Sequence, residues 1–147
     1  MSDEEILSRI VRRESRSFLQ YVRDSFPWAS VGDAAIRDGI VAMADKEADR
    51  IAQLARFLQA RRVPLPVLGP FPTSFTNSNF LAAQALIPRL LDDARHRLTL
   101  LNHDAELLHD EQARSLVEAF RQEKQEHLHR LEAMRSFRAA PTMAAAS

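Results

Sequence analysis

Apolar residues recur every three or four positions along most of this chain, the spacing of helices that bury one face. The first stripe is Leu7, Val11, Glu14, Phe18, Tyr21, and the second is Ile36, Ile40, Met43, Glu47, Arg50, Leu54, Leu58. The third runs Phe80, Ala83, Ile87, Leu90 or Leu91, Ala94, Leu98, Leu101, Ala105, Leu108; the fourth runs Ala113, Leu116, Phe120, Lys124, His127, Leu131, Met134. Ionisable residues interrupt the first, second and fourth stripes near their middles: Glu14, then Glu47 with Arg50, then Lys124 with His127. The third is interrupted more loosely, at Asp93 or Asp92. The densest interruption lies in Arg121–Met134, RQEKQEHLHRLEAM. Charged groups are rarely buried without a partner. Four helices that each bring polar groups into a shared core therefore make a site, or the remains of one.

The boundaries follow from caps and breakers. Ser2 with Glu5 reads as a capping box, opening a helix from about Asp3 to about Phe26, where Pro27 and Trp28 end it. Past Val31 and Gly32, Asp33 can cap a second helix that reaches about Arg62 and tolerates Gly39. A turn this short makes the two helices antiparallel neighbours. The segment Val63–Asn77, VPLPVLGPFPTSFTN, holds four of the seven prolines, so it cannot be helical. It is also too apolar for a loose linker, and reads as a crossover packed along the bundle. Asn77 or Ser78 can cap a third helix from about Asn79 to His109, which Pro88 should kink or leave with an unpaired carbonyl. Asp110 then caps a last helix from about Glu111 to Phe137. The reading is one all-α domain, a four-helix bundle over residues 1–137, with a disordered tail over 138–147.

Heights along these helices bring the polar positions together. Glu14 lies 12 residues before Phe26 and Glu47 lies 14 after Asp33, so at about 1.5 Å per residue they are level in an antiparallel pair. Asp93 lies 16 residues before His109, while Lys124 and His127 lie 13 and 16 after Glu111. If the crossover spans the bundle, both pairs meet near its middle in one cluster.

Composition narrows the function classes. The 147 residues carry 20 basic and 20 acidic side chains, leaving no net field to gather nucleic acid or an anionic membrane. There is no cysteine, which removes disulfides, thiolate metal sites and cysteine nucleophiles. MSDEEILSR lacks the basic-then-apolar order of a signal peptide, and no apolar run approaches the roughly 18 residues of a membrane span. A soluble, cytoplasmic protein is expected.

These residues resemble the ferritin-like proteins, four-helix bundles with a long crossover after the second helix. Their two metals are held by a Glu from the first and third helices and a Glu-x-x-His from the second and fourth. Glu14 in ESRSFLQY resembles the first-helix Glu. Glu47 with Arg50 in EADRIAQL occupies the second motif with Arg in place of His, and Asp93 stands at the third-helix position. Lys124 and His127 in KQEHLHRL occupy the fourth motif, with Lys at the Glu position. The 33 residues from Glu14 to Glu47 also match the family's spacing.

The resemblance implies a metal set of Glu14, Glu47, Asp93 and His127, yet a guanidinium cannot coordinate a metal and an ammonium must first lose its proton. Arg50 and Lys124 read instead as built-in buried counter-ions, and no cofactor is then needed. Two functions follow. One is a non-catalytic structural or partner-binding protein whose di-metal site has become an ionic cluster. The other is an iron-binding protein, or an oxidoreductase using dioxygen or peroxide, in which Lys124 or Arg50 would stabilise a bound anion. An unrelated helical adaptor would follow if the polar positions faced solvent. Iron storage has no support.

Several further signals have bland readings. Glu126 with His129 also spells Glu-x-x-His, and Glu123 with His127 has i, i+4 spacing, but Glu126 and His129 fall off the apolar stripe. His96 and His103 belong to a solvated face. Tyr21, Phe26, Trp28 and Phe57 read as core or staple residues. Leu65, Val67, Leu68, Phe71 and Phe75 in the crossover either pack on their own bundle or cover a second copy in a homodimer.

Overall fold

The computed structural model describes residues 1–25, 34–78 and 83–146, side chains at 77, 78, 83, 84 and 136–146 apart. Among the described residues five α-helices pack together: α1 (Asp3–Ser15), α2 (Phe18–Ser25), α3 (Ala34–Ala60), α4 (Ala83–Leu107) and α5 (Glu111–Ala146). A 3-10 helix covers Thr73–Ser78, and there is no β-strand among the described residues. α5 runs along both α4 and α3, while α1 and α2 each lie against α3 and α4. None of the described helices is long and apolar enough to cross a membrane.

The helix ends are made by local chemistry. Ser2 and Glu5 form the expected reciprocal capping box on α1. Asp110 caps α5 by accepting from the backbone N–H of Ala113 at 2.9 Å. At the end of α3, Val63 N–H reaches Leu58 O at 2.9 Å and Arg62 N–H reaches Gln59 O at 2.9 Å, a Schellman closure. Its left-handed residue is Arg62, with φ 59°, where glycine is the usual occupant. Asp3 accepts from the backbone of His109 and Asp110, and Arg61 bridges Glu4 and Asp110. One end of the molecule is thereby tied across three helices.

The expected single helix from Asp3 to Phe26 is broken at Arg16–Ser17. Arg16 and Ser17 turn back to Arg13 O and Glu14 O, each at 3.2 Å, the tight closure of a helix ending. Ser17 then caps α2, its hydroxyl accepting from Gln20 N–H at 3.1 Å. α4 satisfies the remaining groups. Asp93 Oδ2 accepts from Phe18 N–H at 2.9 Å and from Arg97 Nε at 2.8 Å, while Arg97 Nη1 donates to Arg13 O at 2.7 Å. A break would otherwise leave partly buried donors and acceptors without water.

Other expectations meet different outcomes. The turn at Pro27–Asp33, with Phe26, Trp28 and the Asp33 cap, lies outside the described residues, as do Asn79, Phe80 and the side chains at Asn77, Ser78 and Ala83. α3 ends at Ala60, close to the expected Arg62. α5 continues to Ala146, past the expected end near Phe137, consistent with the helix-favouring alanines at 139, 140 and 144–146. Pro88 sits within α4 near its start.

The apolar core falls into two clusters. One gathers Phe18, Tyr21, Ile40, Met43, Leu90, Leu91 and Leu131 with their neighbours; the other gathers Ile6, Ile10, Leu54, Leu58, Leu101, Val117 and Phe120 with theirs. On α3 and α5, and at the end of α1 just before α2, the ionisable interruption falls between the two sets. Val63 packs against the second cluster and Phe71 and Phe75 against the first, so the segment joining them passes from one to the other. Where α3 and α5 approach near Gly39, a Cβ there would come within 2.8 Å of the Met134 methyl.

Candidate functional site

The interruptions on α1, α3 and α5 converge between the two apolar clusters. Helical spacing gives Glu14, Glu47, Lys124 and His127 the same inward aspect as the leucines and phenylalanines around them, so all four enter the core. Each is at most 3 % exposed. The Lys124 ammonium lies 2.7 Å from Glu47 Oε1 and 2.8 Å from Glu14 Oε1. The contact with Glu47 is an aligned hydrogen bond; the one with Glu14 is an ion pair without that alignment. His127 Nδ1 lies 2.6 Å from Glu47 Oε2.

Burial by itself pushes the Glu47 carboxyl up, but the Lys124 charge and the hydrogen bonds from His127 and Lys124 outweigh it and hold Glu47 below its ordinary value. Burial likewise works against the Lys124 ammonium, and the Glu14 and Glu47 carboxylates reverse this, raising Lys124 above the ordinary lysine value. Glu47 and Lys124 are each held ionised by their neighbours. With Glu47 a carboxylate, the proton in its 2.6 Å contact sits on His127 Nδ1, so Nδ1–H donates.

The layer extends on both sides. Arg13 reaches Glu14 Oε2 at 3.3 Å and Asp104 Oδ2 at 2.8 Å, and Arg9 reaches Asp104 Oδ1 at 2.5 Å. Opposite, Arg50 Nε donates to Glu123 Oε2 at 2.6 Å, and Glu123 Oε1 lies 3.8 Å from His127 Nε2. The carboxylates Asp104, Glu14, Glu47 and Glu123 thus face the cations Arg9, Arg13, Lys124 and Arg50. The charges balance before His127 is counted.

Of the sequence-predicted site residues, Glu14, Glu47, His127 and Lys124 come together, and two do not. Asp93 is turned to the helix break, where Phe18 N–H and Arg97 occupy its Oδ2. Its neighbour Asp92 is exposed. Arg50 is a counter-ion, but to Glu123 at the rim and not to Glu47, and its side chain keeps 31 % exposure. Glu126, His129, His96 and His103 are exposed as expected. Arg13 and Asp104 were missed. Asp104 is in register with Leu101 on the buried face of α4 and with Leu108 just past its end, and that register was its available signal.

A pair of metals does not fit the residues present. The point between the Glu14 and Glu47 carboxylates is taken by Nζ of this chain's own lysine, and Asp93 is committed elsewhere. Among the described residues, no three His, Asp or Glu side chains converge as a metal-ligand set. Comparisons with protein-family models, with curated proteins and with solved structures yield no match.

Proposed function

We propose that this is a ferritin-like four-helix bundle, α1 and α2 together forming its first helix, whose di-metal position has been filled by a buried ionic cluster. On this reading it is a non-catalytic structural or partner-binding protein. The observation that carries the reading is the Lys124 ammonium within 2.8 Å of both Glu14 and Glu47, at the level where the family's carboxylates would share metals. The passage of residues 63–75 from one apolar cluster to the other supports the family's crossover. Anaerobic loading with Fe(II) or Mn(II), desalting and elemental analysis test it, with Glu14→Gln alongside. No iron or manganese should be retained. Metal held by the wild type and lost in Glu14→Gln would overturn the reading in favour of an iron protein or oxidoreductase.

The partner with most support is a second copy of the chain. Leu65, Val67 and Leu68 in the Pro-rich segment are 44 %, 85 % and 42 % exposed, an apolar run that can meet itself without burying charge. Sedimentation or light scattering should find a homodimer that Val67→Asp dissociates. A wild-type monomer would remove the partner from this face. The cysteine-free chain suits a reducing compartment, and we place it in the cytoplasm.

A further inference from the structure

A cleft of about 450 Å³ opens on the α3–α5 seam just outside the ionic layer, and His127 lines it together with Glu123 and Arg50. The His127 side chain is 3 % exposed, with its Nδ1–H engaged by Glu47. Its Nε2 is therefore an acceptor, and it lies 3.8 Å from Glu123 Oε1, beyond hydrogen-bond reach. Glu123 Oε1 is buried and has no hydrogen-bond partner, although Oε2 of the same carboxylate takes Arg50 Nε. Arg50 also gives Nη1 to Gln53 at 3.4 Å, and neither contact uses its Nη2. The cleft thus holds an ion pair with an unused oxygen on one partner and unused N–H donors on the other.

Two neighbouring acceptors call for a donor with more than one hydrogen, and a buried carboxylate oxygen for one that is positively polarised. A bare cation does not suit the lining, which includes Lys46, Arg50 and Arg130; a bare anion does not suit it either, because Asp49, Glu123 and Glu126 are there too. Three bases against three acids match a ligand that is neutral as a whole and carries both charges. We propose that the cleft binds a free α-amino acid. Its ammonium donates to His127 Nε2 and Glu123 Oε1, its carboxylate accepts from Arg50 Nη2 and Lys46, and its side chain points to the open mouth. Glu123 and Arg50 keep their own bond, so each ligand charge meets the partner of opposite sign in an existing pair. The site is separate from the ionic layer and makes or breaks no covalent bond. Lys124 keeps its place between Glu14 and Glu47, and Glu47 acts only through the hydrogen bond that fixes the His127 tautomer.

Two-dimensional NMR of the isotope-labelled full chain, titrated with glycine, L-alanine and L-leucine, tests the assignment. Methylammonium chloride and sodium acetate, each supplying half of the ligand, serve as controls. Saturable shifts are expected at the His127 ring and at the amides of residues 46–53 and 123–130, with either half binding at least about tenfold more weakly than alanine. Glu123→Gln should weaken alanine by at least about tenfold. Arg50→Met should weaken alanine but not methylammonium, which has no carboxylate for the guanidinium to meet. Both changes lie at the partly exposed rim, where circular dichroism verifies the fold, and the comparison of alanine with its halves needs neither variant. Absence of saturable shifts at this seam, either half binding as tightly as alanine, or equal alanine affinity in wild type and Glu123→Gln would overturn the site.

Discussion

Lys124→Met is the sharpest perturbation of the ionic layer. Methionine nearly matches the lysine stem in volume, so the change removes charge more than packing. It leaves Glu14 and Glu47, each within 2.8 Å of the lost nitrogen, as buried neighbours of like charge. Breaking a buried pair by deleting one partner costs about 3–5 kcal/mol, a large share of the roughly 5–15 kcal/mol that holds a domain folded. Urea denaturation at pH 7 should show that loss. The pH dependence is more discriminating. In the wild type Glu47 is held below its ordinary value of 4.5, so its stabilisation is complete above pH 4.5 and fades as pH falls through the lower folded value. Lys124 is raised above its ordinary 10.5, so its share is complete below that pH and fades as pH rises through the folded value. In Lys124→Met the two carboxylates compete to ionise and one takes up a proton, so the folded state binds more protons than the unfolded chain near neutrality. Its stability should rise as pH falls from 7 to 5, a range in which Glu47 and Lys124 give the wild type no pH dependence. A loss under about 1 kcal/mol, with no rise toward acid, would refute the reasoning.

Other expectations follow from single contacts. Arg62→Gly relieves a left-handed residue at the end of α3 and should stabilise the chain by about 0.5–1 kcal/mol, read as a higher urea midpoint with unchanged slope. Arg97→Met removes the guanidinium that serves Asp93 and Arg13 O across the α1–α2 break. A loss of about 2 kcal/mol is expected, with faster amide exchange at the break, residues 16–18, than over the rest of α2. Equal exchange throughout α2 would show that the break is held by other contacts.

The stripes of apolar residues made much of this architecture legible, because a helix advances by a constant rise and short connections limit how neighbours can slip. Glu14, Glu47, Lys124 and His127 were therefore placed at one level by counting residues. Counting put Asp93 at that level too, but its side chain serves a helix break that the continuous stripe through Phe18 and Tyr21 concealed. Ser17 with Gln20 three residues on was the local sign of that break. Arg50 occupies a buried-stripe position, yet its long side chain swings to Glu123 on another helix; such rotamers depend on neighbours that spacing alone does not identify. Asp104 meets Arg9 and Arg13 from 95 and 91 residues away, a pairing visible only once α1 lies on α4.

Two oily compartments with a charged seam between them cannot slide past one another as a uniform apolar core could. Moving α5 by one helical turn would carry the Lys124 ammonium about 5.4 Å along its axis, into apolar surroundings made of Ile10, Leu54 and Leu101 on one side or Met43, Leu90 and Leu91 on the other. The ammonium would lose both carboxylates and gain no water. Leucine and isoleucine repeats alone would tolerate several such offsets at similar energy. The seam thus works as a detent, selecting one axial alignment of helices that side-chain packing by itself would leave nearly interchangeable.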